Sequence, residues 1–289
     1  MCCSIQSTTW DYYRRCPMDS KSKQEISKFK MKDGILALCM FLLSVILTTA
    51  TVAMRSRGFM IPIVLVHIAN YTPIVIIILI VLRNKQGLAS IGLHKEKLWP
   101  AVRLGLLFSL VPILFGGIIP GLYAGFNQLA FGVIVSSLAI TLLFAAWEDI
   151  LYAGFVTPRL YGFVKSGWFA IPLGALIFAV MHVPTWILME RLYFGNWDYA
   201  WLSSLQILRW FIAFLFYFAI FRKYYSIVPI VIIHTVNNFM MTLVGNVPAP
   251  FGVNNFWIIQ SGAKLLAACA LFWYIHKSEK KHFESLQTL

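Results

Sequence analysis

Long apolar stretches separated by short polar segments dominate the pattern along the chain. Eight of them reach the roughly 20 residues that a helix needs to cross the apolar core of a bilayer. They run over 34–54, 59–82, 98–123, 128–155, 168–189, 199–221, 226–245 and 256–276. The pattern predicts an all-α protein, a polytopic membrane helix bundle with about eight transmembrane helices spanning 34–276. A polar, basic tail over 1–33 and a C-terminal tail over 277–289 flank it, and no repeat or second domain is visible. Pro73, Pro112, Pro172 and Pro184 fall inside runs, where neighbouring helices in a bundle accommodate them as kinks. The fourth run is too long for an upright span. Its end, 152–165, mixes aromatics with Gly154, Pro158, Arg159 and Gly162, and is expected to leave the membrane core and lie along the interface.

Composition agrees with a membrane protein and removes the soluble alternative. The chain is 60% hydrophobic and 12% charged, against about 25% charged in soluble domains. Its 24 Lys and Arg against 11 Asp and Glu give a formal charge of +13. The bases are not gathered on a polar surface as a nucleic-acid footprint would be, and no nucleic-acid partner is expected. They lie between apolar runs, and with eight spans almost all fall on one side: the first tail, Arg83 and Lys85, Lys95 and Lys97, Arg159 and Lys165, Arg222 and Lys223, and the last tail. The opposite side carries only Arg55, Arg57 and Arg191. The positive-inside rule then puts both termini in the cytoplasm of a multi-pass protein of the cell membrane, with membrane lipids as partners. The five cysteines, Cys2, Cys3, Cys16, Cys39 and Cys269, form no CxxC pair or disulfide framework. The first 33 residues lack the apolar core of a secretory signal. The 23 Phe and 10 Trp are expected mostly at lipid-facing or interfacial positions.

Ionisable groups at membrane depth are expensive, which makes each a candidate for function. All but two of the 11 acids fall in tails or loops; the exceptions, Glu148 and Asp149, are adjacent in the fourth run. They differ by about 100° around a helix, so one is expected to face a cavity while the other bonds within the protein. His67, His182 and His234 lie in the second, fifth and seventh runs. Residues four apart share a helix face. In Phe178-Ala-Val-Met-His182 a ring can therefore wall one side of the imidazole, and in His234-Thr-Val-Asn-Asn238 imidazole and carboxamide form a two-donor patch, with Asn237 the less favoured alternative. His67, with no motif around it, reads as a packing residue, and Arg103, Arg209 and Lys264 as snorkelling or pairing groups.

These residues resemble the CAAX prenyl protease and bacteriocin-processing (CPBP, or Abi) family of intramembrane proteases. That family carries Glu-Glu-x-x-x-Arg, Phe-x-x-x-His and His-x-x-x-Asn or Asp on separate spans. Here Glu148-Asp149-Ile-Leu-Tyr-Ala153, Phe178 to His182 and His234 to Asn238 follow in the same order, and the resemblance covers a core of about 141–245. Two positions depart from the motif: Asp149 stands for the second Glu, and Ala153 for the Arg. Loss of the Arg removes a cationic partner, for which Arg209 or Lys264 can substitute.

The resemblance implies an intramembrane endopeptidase acting on a peptide or protein substrate at the membrane, of the lipidated CAAX-tail class or the leader or regulatory peptide class. Glu148 and His182 would hold and deprotonate a water, while His234 and Asn238 donate hydrogen bonds to the tetrahedral intermediate and Asp149 and Phe178 support them. No cofactor is required on this reading. Zn2+ is the alternative, since Glu148, His182 and His234 make a possible ligand triad, although HExxH is absent. Two other functions remain in view. Ala153 motivates a catalytically silent relative acting in immunity or regulation, and the buried acid and histidines would also suit a proton-coupled transporter, though no inverted repeat is visible.

Overall fold

The computed structural model describes residues 28–57, 59–60, 62–95, 98–193, 200–244, 258–259, 261–271, 273–274 and 277. Most of both tails, with Cys2, Cys3 and Cys16, therefore lies outside the described residues. The elements are α1 (Met31–Ser56), α2 (Ile63–Arg83), a short 3-10 turn (Leu88–Ile91), α3 (Leu98–Ala124), α4 (Phe131–Val164), α5 (Gly167–Tyr193), α6 (Ala200–Tyr224), α7 (Val228–Leu243) and α8 (Ser261–Leu271). Each apolar run of the sequence coincides with a helix. Among the described residues, α1 to α4 are long and apolar enough to cross a membrane, and 169–184, α7 and α8 are shorter apolar helices. The protein is an all-α membrane helix bundle.

Two helices widen into π-helical turns, α3 at Ile113–Ile118 and α4 at Ile150–Val156, directly after the acidic pair. The wider turn in α4 closes on the Tyr152 carbonyl, which accepts from the Thr157 backbone N–H five residues on and also from Thr157 Oγ1 at 2.8 Å. Such turns re-aim the residues on either side of them and recur at functional sites.

The end of α4 departs from the expectation of an interfacial segment. Leu151 to Leu160 are buried without a break, enclosed by α1, α2, α5 and the 3-10 turn. Small residues allow that closeness: a Cβ on Gly154 would lie 2.8 Å from the Ile91 carbonyl oxygen, and one on Gly162 would collide with the Lys30 carbonyl. Arg159 is likewise no loop cation. It is 1% exposed, donating to the Phe155 carbonyl at 3.2 Å and to Gln86 Oε1 at 2.6 Å. Its guanidinium stands 3.8 Å from the Phe155 ring centroid and 4.6 Å from that of Phe29, where hydrogen bonds and ring faces replace water around the charge.

Phenylalanine also behaves differently from the expectation. Phe59, Phe131 and Phe169 are exposed, but Phe155, Phe178, Phe214, Phe216, Phe218 and Phe221 form the middle of the core. Helices in a bilayer gain nothing by hiding apolar groups from lipid, so ring packing at helix contacts has to hold them together.

Helix α7 packs against α3 and α4, and α5 against α6. Both ends of α7 are pinned. At its start, Ile227 N–H donates to the Gly92 carbonyl at 3.2 Å, and Tyr225 OH donates to the Ser90 carbonyl at 3.1 Å. At its end, Asn127 N–H donates to the Leu243 carbonyl at 2.9 Å, and Asn127 Nδ2 to those of Thr242 and Val244 at 2.9 and 3.1 Å. These bonds set the register of His234, Asn237 and Asn238 against the acids of α4.

Candidate active site

The acidic pair splits as helix geometry requires. Glu148, with its side chain 17% exposed, lines a cavity of about 120 Å³ between α4, α5, α6, α7 and α8. Asp149 is fully buried beside it. The partner of Asp149 comes from α7: its Oδ1 lies 3.3 Å from His234 Nδ1, which donates to it. The other nitrogen of the same ring, Nε2, faces Glu148 Oε2 at 3.6 Å, longer than a hydrogen bond but within ion-pair range. One imidazole thus stands between two carboxylates, held from one side and presented to the other. Asp149 Oδ2 and the Tyr217 hydroxyl are buried with no bonding partner among the described residues.

His182 sits on α5 across the cavity. Its Nδ1 lies 2.9 Å from the Phe178 carbonyl oxygen. A carbonyl can only accept, so the ring proton is on Nδ1 and the Nε2 lone pair is left for a donor. The ring is held by two aromatic neighbours, stacked on Trp210 with centroids 4.2 Å apart and planes at 22°, and tilted against Phe178 at 4.6 Å. Phe178 is itself 1% exposed and stacked on Phe214, whose ring edge meets His234 at 5.7 Å. Packing therefore fixes the orientation of both imidazoles.

Asn237 and Asn238 both line the cavity. Lys264 Nζ, 1% exposed on α8, donates to Asn237 Oδ1 at 2.7 Å, and Asn237 Nδ2 donates to Asn238 Oδ1 at 3.1 Å. Arg209, from α6, lines the same cavity and reaches Met241 Sδ at 3.2 Å. His67 lies elsewhere, beside Tyr71 and Phe144.

All four residues expected to carry the chemistry, Glu148, His182, His234 and Asn238, therefore line one cavity, with Phe178 in its wall and Asp149 behind it. Sequence reading undervalued Lys264, Arg209, Asn237 and Tyr217. A signal existed for the two cations, since each is ionisable within an apolar run; for Tyr217, one of 12 tyrosines, there was none. Among the described residues no three His, Cys, Asp or Glu side chains are gathered closely enough to hold a metal ion. The triad named for zinc shares the cavity without forming such a set.

A helical membrane protein with a carboxylate, two oriented imidazoles and carboxamides around a buried cavity has the makings of an intramembrane hydrolase. Residues 128–240, which carry all of these groups and, of the residues lining the cavity, leave out only Lys264, match the Rce1-like family, described as type II CAAX prenyl endopeptidase Rce1-like. The match spans less than half of the chain and agrees with the resemblance read from the three motifs. No curated protein matches the chain.

Proposed function

We propose that the protein is an intramembrane endopeptidase that hydrolyses a peptide or protein substrate at the membrane through a water activated by Glu148 and His182. The observation that carries this reading is the convergence of Glu148, His182, His234 and Asn238, from three separate helices, on one cavity. In the proposed step, His182 Nε2 accepts a hydrogen bond from the water while Glu148 removes its proton. The hydroxide oxygen bonds to the scissile carbonyl carbon and the C=O pair moves onto oxygen. On this reading His234 is an imidazolium between the two carboxylates, donating from Nδ1 to Asp149, and its Nε2–H and Asn238 Nδ2 face the resulting oxyanion. Collapse expels the amine, which takes back the proton from Glu148. Asp149 orients His234 from behind, a role for which the motif's arginine is not needed. On this reading no metal ion takes part.

The reading keeps both termini of the protein in the cytoplasm, on the strength of the loop cations, and takes its substrate at the membrane. The description of the matched family favours a prenylated CAAX tail, and a leader or regulatory peptide is the other class. The test is cleavage in native membranes by wild type, Glu148→Gln and His182→Ala at matched abundance, on prenylated and unprenylated peptides. Cleavage by wild type with loss of about 10²–10⁴-fold in both variants is expected for removal of a general base or its partner. Equal cleavage by all three would sink the reading, and no cleavage by any would favour the silent relative. Activity that survives a strong chelator supports side chains alone; loss restored by Zn2+ would replace that part of the mechanism.

A further inference from the structure

We infer that Lys264 is a positioning residue that sets the polarity of the carboxamide pair and thereby aims the Asn238 amide at the reacting carbonyl. The inference rests on the protease reading and adds to it a residue on α8, outside the three motifs and the matched segment.

An asparagine side chain presents an acceptor at one end and two donors at the other, and turning it over exchanges them. A lysine ammonium only donates. With Lys264 Nζ at 2.7 Å, Asn237 has to present Oδ1 to it, and its Nδ2 is turned to the opposite side. There it meets Asn238 at 3.1 Å, so Asn238 has to present Oδ1 in turn. The Nδ2 hydrogens of Asn238 are then directed away from Asn237, into the cavity shared with Glu148, His182 and His234. One buried charge fixes two amide orientations in series, and the output is a donor where a tetrahedral intermediate develops negative charge.

The location of Lys264 supports a role beyond packing. A cation 1% exposed in an apolar helix is costly, and an apolar side chain of similar volume at such a site is commonly as stable or more so. A residue kept only for stability gains little there. The relay gives the charge a task that an apolar side chain cannot perform, since only a donor at that position selects Oδ1 of Asn237.

The test uses the full chain in nanodiscs, with Lys264→Met to remove the charge at similar length, Lys264→Arg to keep a cation, and Asn237→Asp. Asn237→Asp keeps the contact to Lys264 but offers Asn238 an acceptor, so that Asn238 turns its Nδ2 away from the cavity. Lys264→Met and Asn237→Asp are expected to lower kcat by about 10–100-fold, somewhat less than deleting an oxyanion donor outright, with KM changed less than about threefold. Lys264→Arg should recover most of the loss. In an Asn238→Ala background, Lys264→Met should add no further loss, because the group it aims is gone. The side-chain amide resonances of 15N-asparagine-labelled protein should shift at both Asn237 and Asn238 in Lys264→Met, a reading that needs no substrate.

Wild-type kcat in Lys264→Met, unchanged resonances, or full additivity with Asn238→Ala would each overturn the relay. Glu148→Gln in the same preparation separates the two claims. If it still cleaves, the protease reading fails; if it is dead while Lys264→Met cleaves normally, only the relay fails.

Discussion

The two halves of α4 belong to one continuous helix and have opposite surroundings. From Phe131 to Leu143 nearly every side chain is exposed or half-exposed, with Phe131 at 80%, while from Ala145 to Leu160 nearly every one is buried. The outer half carries no charged side chain and faces lipid, while the inner half faces protein, where a polar group can be kept if a partner meets it. What distinguishes the inner half is its small and polar content: Glu148 and Asp149, then Gly154, Arg159 and Gly162, each matched to a particular partner. The candidate site residues Glu148 and Asp149 sit where the helix passes from the first environment into the second.

That contrast can be broken from either side, and removal of a core ring should have the largest effect. Phe155→Ala empties space under the Arg159 guanidinium and is expected to destabilise the protein by about 3 kcal/mol, whereas Phe131→Ala, facing outwards, should change little; unfolding in detergent micelles measures both. Next comes crowding. Gly162→Leu drives a side chain into the Lys30 carbonyl, where backbone has to give way, and is expected to cost about 1–3 kcal/mol. Gly132→Leu, in open space, should be neutral, so equal losses of folded protein in the two would show that α4 is not gripped as described.

A smaller effect is expected behind the cavity. Asp149→Asn retains shape but weakens the hold on His234 Nδ1, and should lower kcat by about tenfold while KM stays near wild type; an unchanged kcat would leave Asp149 a packing residue. The smallest effect concerns Arg159→Met, which keeps contact with the Phe155 ring and removes the charge. Its stability should change by no more than about 1 kcal/mol in either direction, since the lost bond to Gln86 is offset by relief from burying a cation. A loss of several kcal/mol would show that the guanidinium itself holds the inner half in place.

Much of the architecture was legible because it depends on local rules. Apolar run length located the helices, and the 100° step between neighbours separated Glu148 in the cavity from Asp149 behind it. The four-residue spacings set Phe178 against His182 and put His234 with Asn238 on one face. Where expectation failed, the cause was a long-range contact. The end of α4 reads as interfacial from its mixture of Pro, Gly, Arg and aromatics, but those residues are the matching half of surfaces on α1, α5 and the 3-10 turn. The phenylalanines read as lipid anchors because nothing in a side chain reveals whether its neighbour is a lipid tail or another ring.

The sequence by itself therefore determined a helical membrane protein, the order of its spans and a short roll of candidate groups, because helix period and bilayer thickness act within a single segment. Only the tertiary structure decided that Asp149 is held by His234 from a helix 85 positions away and that Lys264 reaches Asn237 across 27. It also decided which half of α4 meets lipid. Inside a bilayer the hydrophobic effect no longer tells a helix which face to bury, and the choice passes to shape and hydrogen bonds between segments that are distant along the chain.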